Sequence, residues 1–231
     1  MSKNLLVVGA SRGIGGAVAQ YFYQKGHRIL AVSRTPAQAG EWISADVSTA
    51  AGIQKVIAAV GDCPLDALLY MGGVWEKNAF TKDFDFLSSS DEETRFVLAV
   101  NLIAPIELTK ALTKNLSISE NPRAIYIGSL SGLEQSASPE VANTASKFGL
   151  RGAVQSLRLA LAKEQIGFSV INPGNIATEE VISDIEAGLF SQQTPIPMVD
   201  VIETVEWILM RSPHVDISEV NLMQKNKYSE G

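Results

Sequence analysis

A glycine-rich turn after an apolar run is the first place where this chain could do chemistry. Gly9-Ala10-Ser11-Arg12-Gly13-Ile14-Gly15 follows Leu5–Val8, which reads as a buried strand, and leads into Gly13–Gln24, which reads as a helix. A phosphate at such a turn needs close backbone approach, free N–H groups and the positive end of a helix dipole. The spacing is G-x-x-x-G-x-G, not the usual G-x-G-x-x-G. In its strand–turn–helix setting it predicts nucleotide binding rather than a merely tight turn. The next strand pattern, Arg28–Ser33, ends in Ser33-Arg34, where an acidic residue would bond a ribose 2′-hydroxyl. Arg12 and Arg34 can converge on a 2′-phosphate, so the expected cofactor is NADP(H); the alternative is two solvated surface arginines.

The elements that must position these groups alternate along the chain. Strand patterns fall at Leu5–Val8, Arg28–Ser33, Trp42–Ala45, Leu65–Met71, Ala124–Ile127, Phe168–Ile171 and Ile217–Met223. Helix patterns fall at Gly13–Gln24, Thr49–Val60, Asp91–Lys114, Val141–Glu164 and Val199–Met210. In the first long helix Phe96, Val97, Val100, Ile103 and Ile106 form the expected apolar stripe. The alternation predicts an α/β fold: one Rossmann-type domain over residues 1–231, a doubly wound parallel sheet with helices on both faces. Between the second and third strands only Arg34–Glu41 is available, interrupted by Pro36 and Gly40. That crossover is expected to be very short, or a single helical turn.

Length and composition bound the rest. With 231 residues, 46% hydrophobic and 19% charged, the chain suits one domain with a sizeable core. A net charge of −6 argues against a nucleic-acid partner. The longest uncharged run, Gln165–Thr178, is broken by Pro173, so no membrane span is expected. A single cysteine, Cys63, excludes an internal disulfide and reads as a small packed residue. His27 and His214 lie far apart, and no metal is expected. A reduced, cytoplasmic setting is the default expectation.

Several further motifs stand in a telling order: Asp46-Val47 after the third strand, Val100-Asn101 in the long helix, Ser129 after the fifth strand, Ala145-Ser146-Lys147, and Asn172-Pro173-Gly174-Asn175-Ile176-Ala177-Thr178. Together with the glycine turn and its arginines, they resemble the short-chain dehydrogenase/reductase superfamily over roughly residues 1–178, and weakly on to Met223. The resemblance implies that Gly9, Ser11, Arg12, Gly13, Ile14 and Gly15 hold the phosphates and that Asp46 and Val47 border the adenine. It implies that Pro173, Gly174, Ile176 and Thr178 seat the nicotinamide, and that Lys147 bonds its ribose. Asn101 would hold a water leading to Lys147, and Ser129 would face the substrate oxygen. A lid at 179–198 is expected from the same resemblance.

The chain departs from the family pattern twice. The loop that usually reads Asn-Ala-Gly is Met71-Gly72-Gly73 here; Gly72 and Gly73 still permit close approach, but the asparagine's bracing bonds are gone. The family's acid, a tyrosine four residues before the lysine, is replaced by Asn143. An amide donates hydrogen bonds but is no useful acid near neutral pH, whereas a positioned acid contributes roughly 10²–10⁴ in rate. The groups that remain, Ser129, Asn143 and Lys147, suit an enolate better than an alkoxide, because an enolate needs donors and a nearby cation more than a strong acid. In this the chain is similar to tyrosine-deficient members that reduce conjugated double bonds, such as those of tetrahydrotyrosine-type biosynthesis. The leading expectation is therefore an NADPH-dependent reductase of an activated C=C bond in a small molecule. The alternatives are a carbonyl reductase with a water-relayed proton and a non-catalytic NADP-binding sensor or scaffold.

On the substrate side, Val74–Phe86 carries four aromatics that could wall a pocket or simply anchor a loop. The two long helices resemble those the family uses to associate. A close-packing face of Ala153, Leu157 and Leu161 points to a homodimer or homotetramer, although buried helix faces of a monomer would look much the same.

Overall fold

The computed structural model describes residues 2–188 and 194–225. Apolar runs bounded by turns become strands β1 (Asn4–Val8), β2 (Arg28–Ser33), β3 (Glu41–Ser44), β4 (Ala67–Tyr70), β5 (Arg123–Ile127), β6 (Gly167–Pro173) and β7 (Glu219–Leu222). The intervening helices are α1 (Gly13–Gln24), α2 (Ala50–Val60), α3 (Asp91–Leu98), α4 (Ala104–Leu116), α5 (Val141–Ala160), α6 (Glu179–Glu186) and α7 (Met198–Leu209). The strands form one parallel sheet in the order β3-β2-β1-β4-β5-β6-β7. Its central strands are buried on both faces, which is why they read as continuous apolar runs.

Alternate side chains serve two cores. Leu6, Val8, Tyr70 and Tyr126 face Val56, Leu108, Leu112 and Val154 of α2, α4 and α5. Leu5, Val7, Leu69 and Ile125 face Val18, Phe22, Val205 and Ile208 of α1 and α7. The strand order reverses between β1 and β4, so a crevice opens beyond their carboxyl ends, where ligands bind in sheets of this kind.

The crossover between β2 and β3 is an irregular loop, not a helical turn. The predicted helix Asp91–Lys114 is three pieces: α3, a π-helical turn over Ala99–Ile103, and α4. Pro105 accounts for the break, because it has no N–H to return to Asn101 O, and the ladder widens there. The widening rotates the apolar stripe: Ile103 turns outward, while Asn101 joins Val97, Val100 and Ala104 inside. The whole run Asp91–Leu116 is long and apolar enough to cross a bilayer by composition. Its Leu108, Leu112 and Leu116 are spent in the core instead.

The second long helix ends at Ala160, and a tight turn over Ala162–Glu164 leads to Gln165 with φ +53. Its predicted association face is also rotated. Leu157 and Leu161 pack against the chain's own core, and the outward apolar residues of this helix are Val141, Phe148 and Leu159; the π-helical turn that carries the exposed Ile103 packs against the same helix. Of the expected lid, residues 189–193 lie outside the described residues.

Candidate active site

The crevice begins where β1 and β4 end. Gly9 has φ +87, and a Cβ there would stand 2.5 Å from Gly72 Cα, so the two loops touch backbone to backbone. A Cβ on Gly15 would stand 2.2 Å from Gly9 O, which lets α1 start close against the strand. Arg12 occupies the N-cap of α1 with extended backbone. Its side chain does not cap the helix, and the first turn holds no acid. The N–H groups of that turn therefore face the crevice without a side-chain partner, a cradle suited to a diphosphate.

The adenosine end lies beyond β2. Ser33 Oγ donates to Thr35 O at 2.7 Å and accepts from Trp42 Nε1 at 3.2 Å, so it shapes the loop that carries Arg34. The Arg34 guanidinium lies 5.8 Å from the centre of the Phe96 ring, held there by a cation–π contact. Arg12 and Arg34 are exposed, and neither has a carboxylate partner among the described ion pairs. Asp46 Oδ1 accepts from Ser48 N at 3.0 Å and Ser48 Oγ at 2.7 Å, while Val47 packs against the core.

The opposite end is formed by β6 and the loop leading from it to α6. Gly174 N donates to Leu222 O at 2.9 Å, and Ile176 is buried in a bridge with Ile196. Thr178 caps α6 by accepting from Val181 N. Its Cγ2 is 3.9 Å from where a Gly13 Cβ would be, which brings the two ends of the binding turn together.

Between these ends stand the groups with chemical potential. Lys147 projects from α5, and its Nζ donates to Ile127 O at 3.0 Å. Burial without a carboxylate partner lowers its ammonium to about 8. One turn earlier on the same face is Asn143, also buried. Asn143 Nδ2 donates to Ser131 Oγ at 3.4 Å, and Ser131 Oγ donates to Ser129 Oγ at 2.8 Å. Asn101 grips the loop after β4 by the backbone of Val74 and donates to Ser146 Oγ at 3.1 Å. A Cβ on Gly73 would be 3.4 Å from Lys147 Nζ and 3.8 Å from Asn101 Oδ1, so the bare glycine keeps the space between those two groups open.

Among the described residues, no phenol reaches this cluster from the core. Tyr70 donates to Val100 O at 2.5 Å and Tyr126 pairs with Thr109 Oγ1 at 2.6 Å. Burial pushes both hydroxyls up, away from any acid role.

Three residues that the sequence reading did not single out contribute here. Ser131 is the link just described. Glu76 Oε1 accepts from Ala142 N at 2.7 Å and Asn143 N at 3.1 Å, capping α5 from a distant loop. Glu140 answers in the other direction, accepting from Phe80 N at 2.7 Å. The two buried carboxylates thereby tie the segment bearing Trp75 and Phe80 to the start of the helix bearing Asn143 and Lys147. Trp75 and Phe80 meet edge to face, with ring centres 6.1 Å apart. A separate groove of about 520 Å³ lies between α7 and β7, lined by Trp207, Leu222 and Met223 among others, away from this cluster.

Known proteins share this plan. The short chain dehydrogenase family model matches residues 3–187. Carbonyl reductase family member 4 of Danio rerio is 30% identical over 202 residues, covering 82% of this chain and 80% of the fish protein. The 3-oxoacyl-[acyl-carrier-protein] reductase FabG of Escherichia coli is 30% identical over 207 residues, covering 82% and 81%. Among solved structures, 4-hydroxyisoleucine dehydrogenase complexed with NADH superposes with a TM-score of 0.78 at 25% identity, covering 96% of each chain. ElxO with NADP bound has a TM-score of 0.82 at 18% identity, covering 96% of this chain and 97% of that one, a likeness of fold. With the glycine cradle, the parallel sheet and the family match in agreement, the chain belongs to the short chain dehydrogenases, and it is an NAD(P)-dependent oxidoreductase.

Proposed function

We propose that this chain is an NADPH-dependent reductase of a C=C bond conjugated to a carbonyl in a small molecule. The observation that carries the reading is Asn143 standing one helical turn before the buried Lys147, where a dissociable phenol would otherwise stand. The cradle fits the cofactor: the bare Gly9 lets the turn lie against the loop after β4 where a Cβ would not fit, and the first turn of α1 offers its N–H groups. The dinucleotide, when bound, supplies the hydride.

Every other part of the reaction falls to the protein. Gly9, Ser11, Gly13, Ile14 and Gly15 hold the diphosphate, and Arg12 and Arg34 the 2′-phosphate. Asp46 and Val47 border the adenine, while Pro173, Gly174, Ile176 and Thr178 seat the nicotinamide. Ser129 donates to the carbonyl oxygen of the acceptor, and Asn143 and Lys147 keep donors and positive charge nearby as the enolate forms. Solvent then protonates the enolate carbon. Trp75 and Phe80 suit a flat, partly apolar acceptor. The outward face of Val141, Phe148, Leu159 and Ile103 supports a homo-oligomer.

One observation favours a second reading. An ammonium lowered to about 8 is a workable proton source, so Lys147 acting through water at the space beside Gly73 would allow reduction of a ketone or aldehyde. The curated relatives named carbonyl reductase and 3-oxoacyl reductase lend it support. The experiment is NADPH oxidation with an enone and with the matching saturated ketone. Faster turnover of the enone, with saturated carbonyl product, is expected. Faster turnover of the ketone, with alcohol product, overturns the first reading in favour of the second.

A further inference from the structure

Ser129 Oγ accepts two hydrogen bonds from one neighbour: Ser131 N at 3.2 Å and Ser131 Oγ at 2.8 Å. A hydroxyl has one proton and two lone pairs. With both lone pairs engaged, Ser129 retains only its own proton to offer an acceptor. Ser131 Oγ in turn accepts from Asn143 Nδ2, an atom that donates and never accepts. Ser131 and Asn143 are both buried, so bulk water does not compete for these bonds.

We propose that Ser131 is a positioning residue that makes Ser129 a one-way hydrogen-bond donor toward the substrate oxygen, with Asn143 setting the direction of the chain. A phenol at position 143 could either donate or accept, and would change its state as it gave up a proton. A carboxamide Nδ2 only donates and gives up no proton, so the sequence Asn143 to Ser131 to Ser129 to substrate keeps one polarity throughout turnover. Such a donor serves an oxygen that gains negative charge, and it needs no proton transfer to do so. The proposal rests on the reading of Ser129 as the group facing the substrate oxygen, and it gives position 131 a role in the reaction.

The test is a double-mutant cycle on whichever of the enone and ketone is turned over. Ser129→Ala is expected to lower kcat about 100-fold, as for loss of one oxyanion donor. Ser131→Ala is expected to lower kcat about 10-fold, as for loss of one oriented bond, with NADPH Kd unchanged. Ser131→Thr, which keeps the hydroxyl, restores kcat. In the Ser129→Ala background Ser131→Ala costs nothing more, because its only route to the reaction is gone. Additive losses, or no rescue by Thr, overturn the proposal. If the ketone proves the better substrate, the double-bond reading falls and the cycle still decides the role of Ser131. A neutron structure decides it without turnover: a deuteron on Ser131 Oγ directed at Ser129 Oγ is expected, and one on Ser129 directed at Ser131 overturns it.

Discussion

Asn101 holds the backbone of Val74 at both ends, its Oδ1 accepting from Val74 N at 2.9 Å and its Nδ2 donating to Val74 O at 2.7 Å. The loop after β4 lacks the asparagine that the family pattern places there, and this grip from the π-helical turn braces it. Asn101→Leu leaves a half-buried N–H and C=O of Val74 without their protein partner, at up to about 1 kcal/mol each. A lower urea midpoint and faster hydrogen exchange at the Val74 amide are expected. An unchanged midpoint contradicts the bracing role.

Lys147 ties activity and stability to pH in opposite directions. Its ammonium lies at about 8 in the folded, unliganded protein and at 10.5 in the unfolded chain. Between those values the unfolded chain binds more protons, so stability rises with pH; below about 8 the full cost of burying the charge remains. Lys147→Met is therefore expected to stabilise the protein at pH 7 by on the order of 2 kcal/mol, a Tm gain of several degrees, while abolishing turnover. In the native enzyme kcat/KM, which reports groups of the unliganded protein, holds below about 8 and falls above it as the ammonium is lost. Differential scanning calorimetry and a pH–rate profile check the two halves separately.

Restoring a phenol tests the vacancy directly. Asn143→Tyr puts a hydroxyl one turn before Lys147 and removes the amide that faces Ser131. Ketone reduction is expected to rise by about 10²–10⁴, the usual worth of a positioned acid, and the preference for enone over ketone to fall. A preference ratio that does not move contradicts the assignment of position 143 as the determinant.

The proposed preference for NADPH rests on Arg34. Its guanidinium is held over Phe96 and has no carboxylate to neutralise it among the described ion pairs. Arg34→Ala is expected to weaken NADPH binding about 10- to 100-fold, the worth of a charge-assisted bond of roughly 1.5–3 kcal/mol, and to leave NADH almost untouched. Fluorescence titration with both cofactors measures the difference. Equal losses for the two contradict a 2′-phosphate role.

The strands were legible because parallel strands buried on both faces must be continuous apolar runs, and Leu5–Val8 and Ala124–Ile127 are such runs. The glycine turn was legible because only backbone fits where Gly9 meets Gly72. Periodicity failed at Asn101: a regular helix through Ala99–Ile103 puts Ile103 inside, and the widened turn puts Asn101 there instead. Pro105 was the available signal. Glu76 gave none, since it lies 67 positions from the Asn143 amide it accepts, and nothing local distinguishes it from a solvated loop acid. The contact of Arg34 with Phe96 was hidden for the same reason, because only the closed sheet brings β2's end and α3 together.

At Gly9 the group that a Cβ would strike is the backbone of Gly72, which cannot give way. Gly72 already has the smallest side chain available, so a methyl group at Gly9 cannot be offset by trimming its partner. Relief would have to come from parting β1 and β4, and that motion would spread the phosphate cradle at the same time. At this seam, room for the chain and affinity for the dinucleotide are a single quantity.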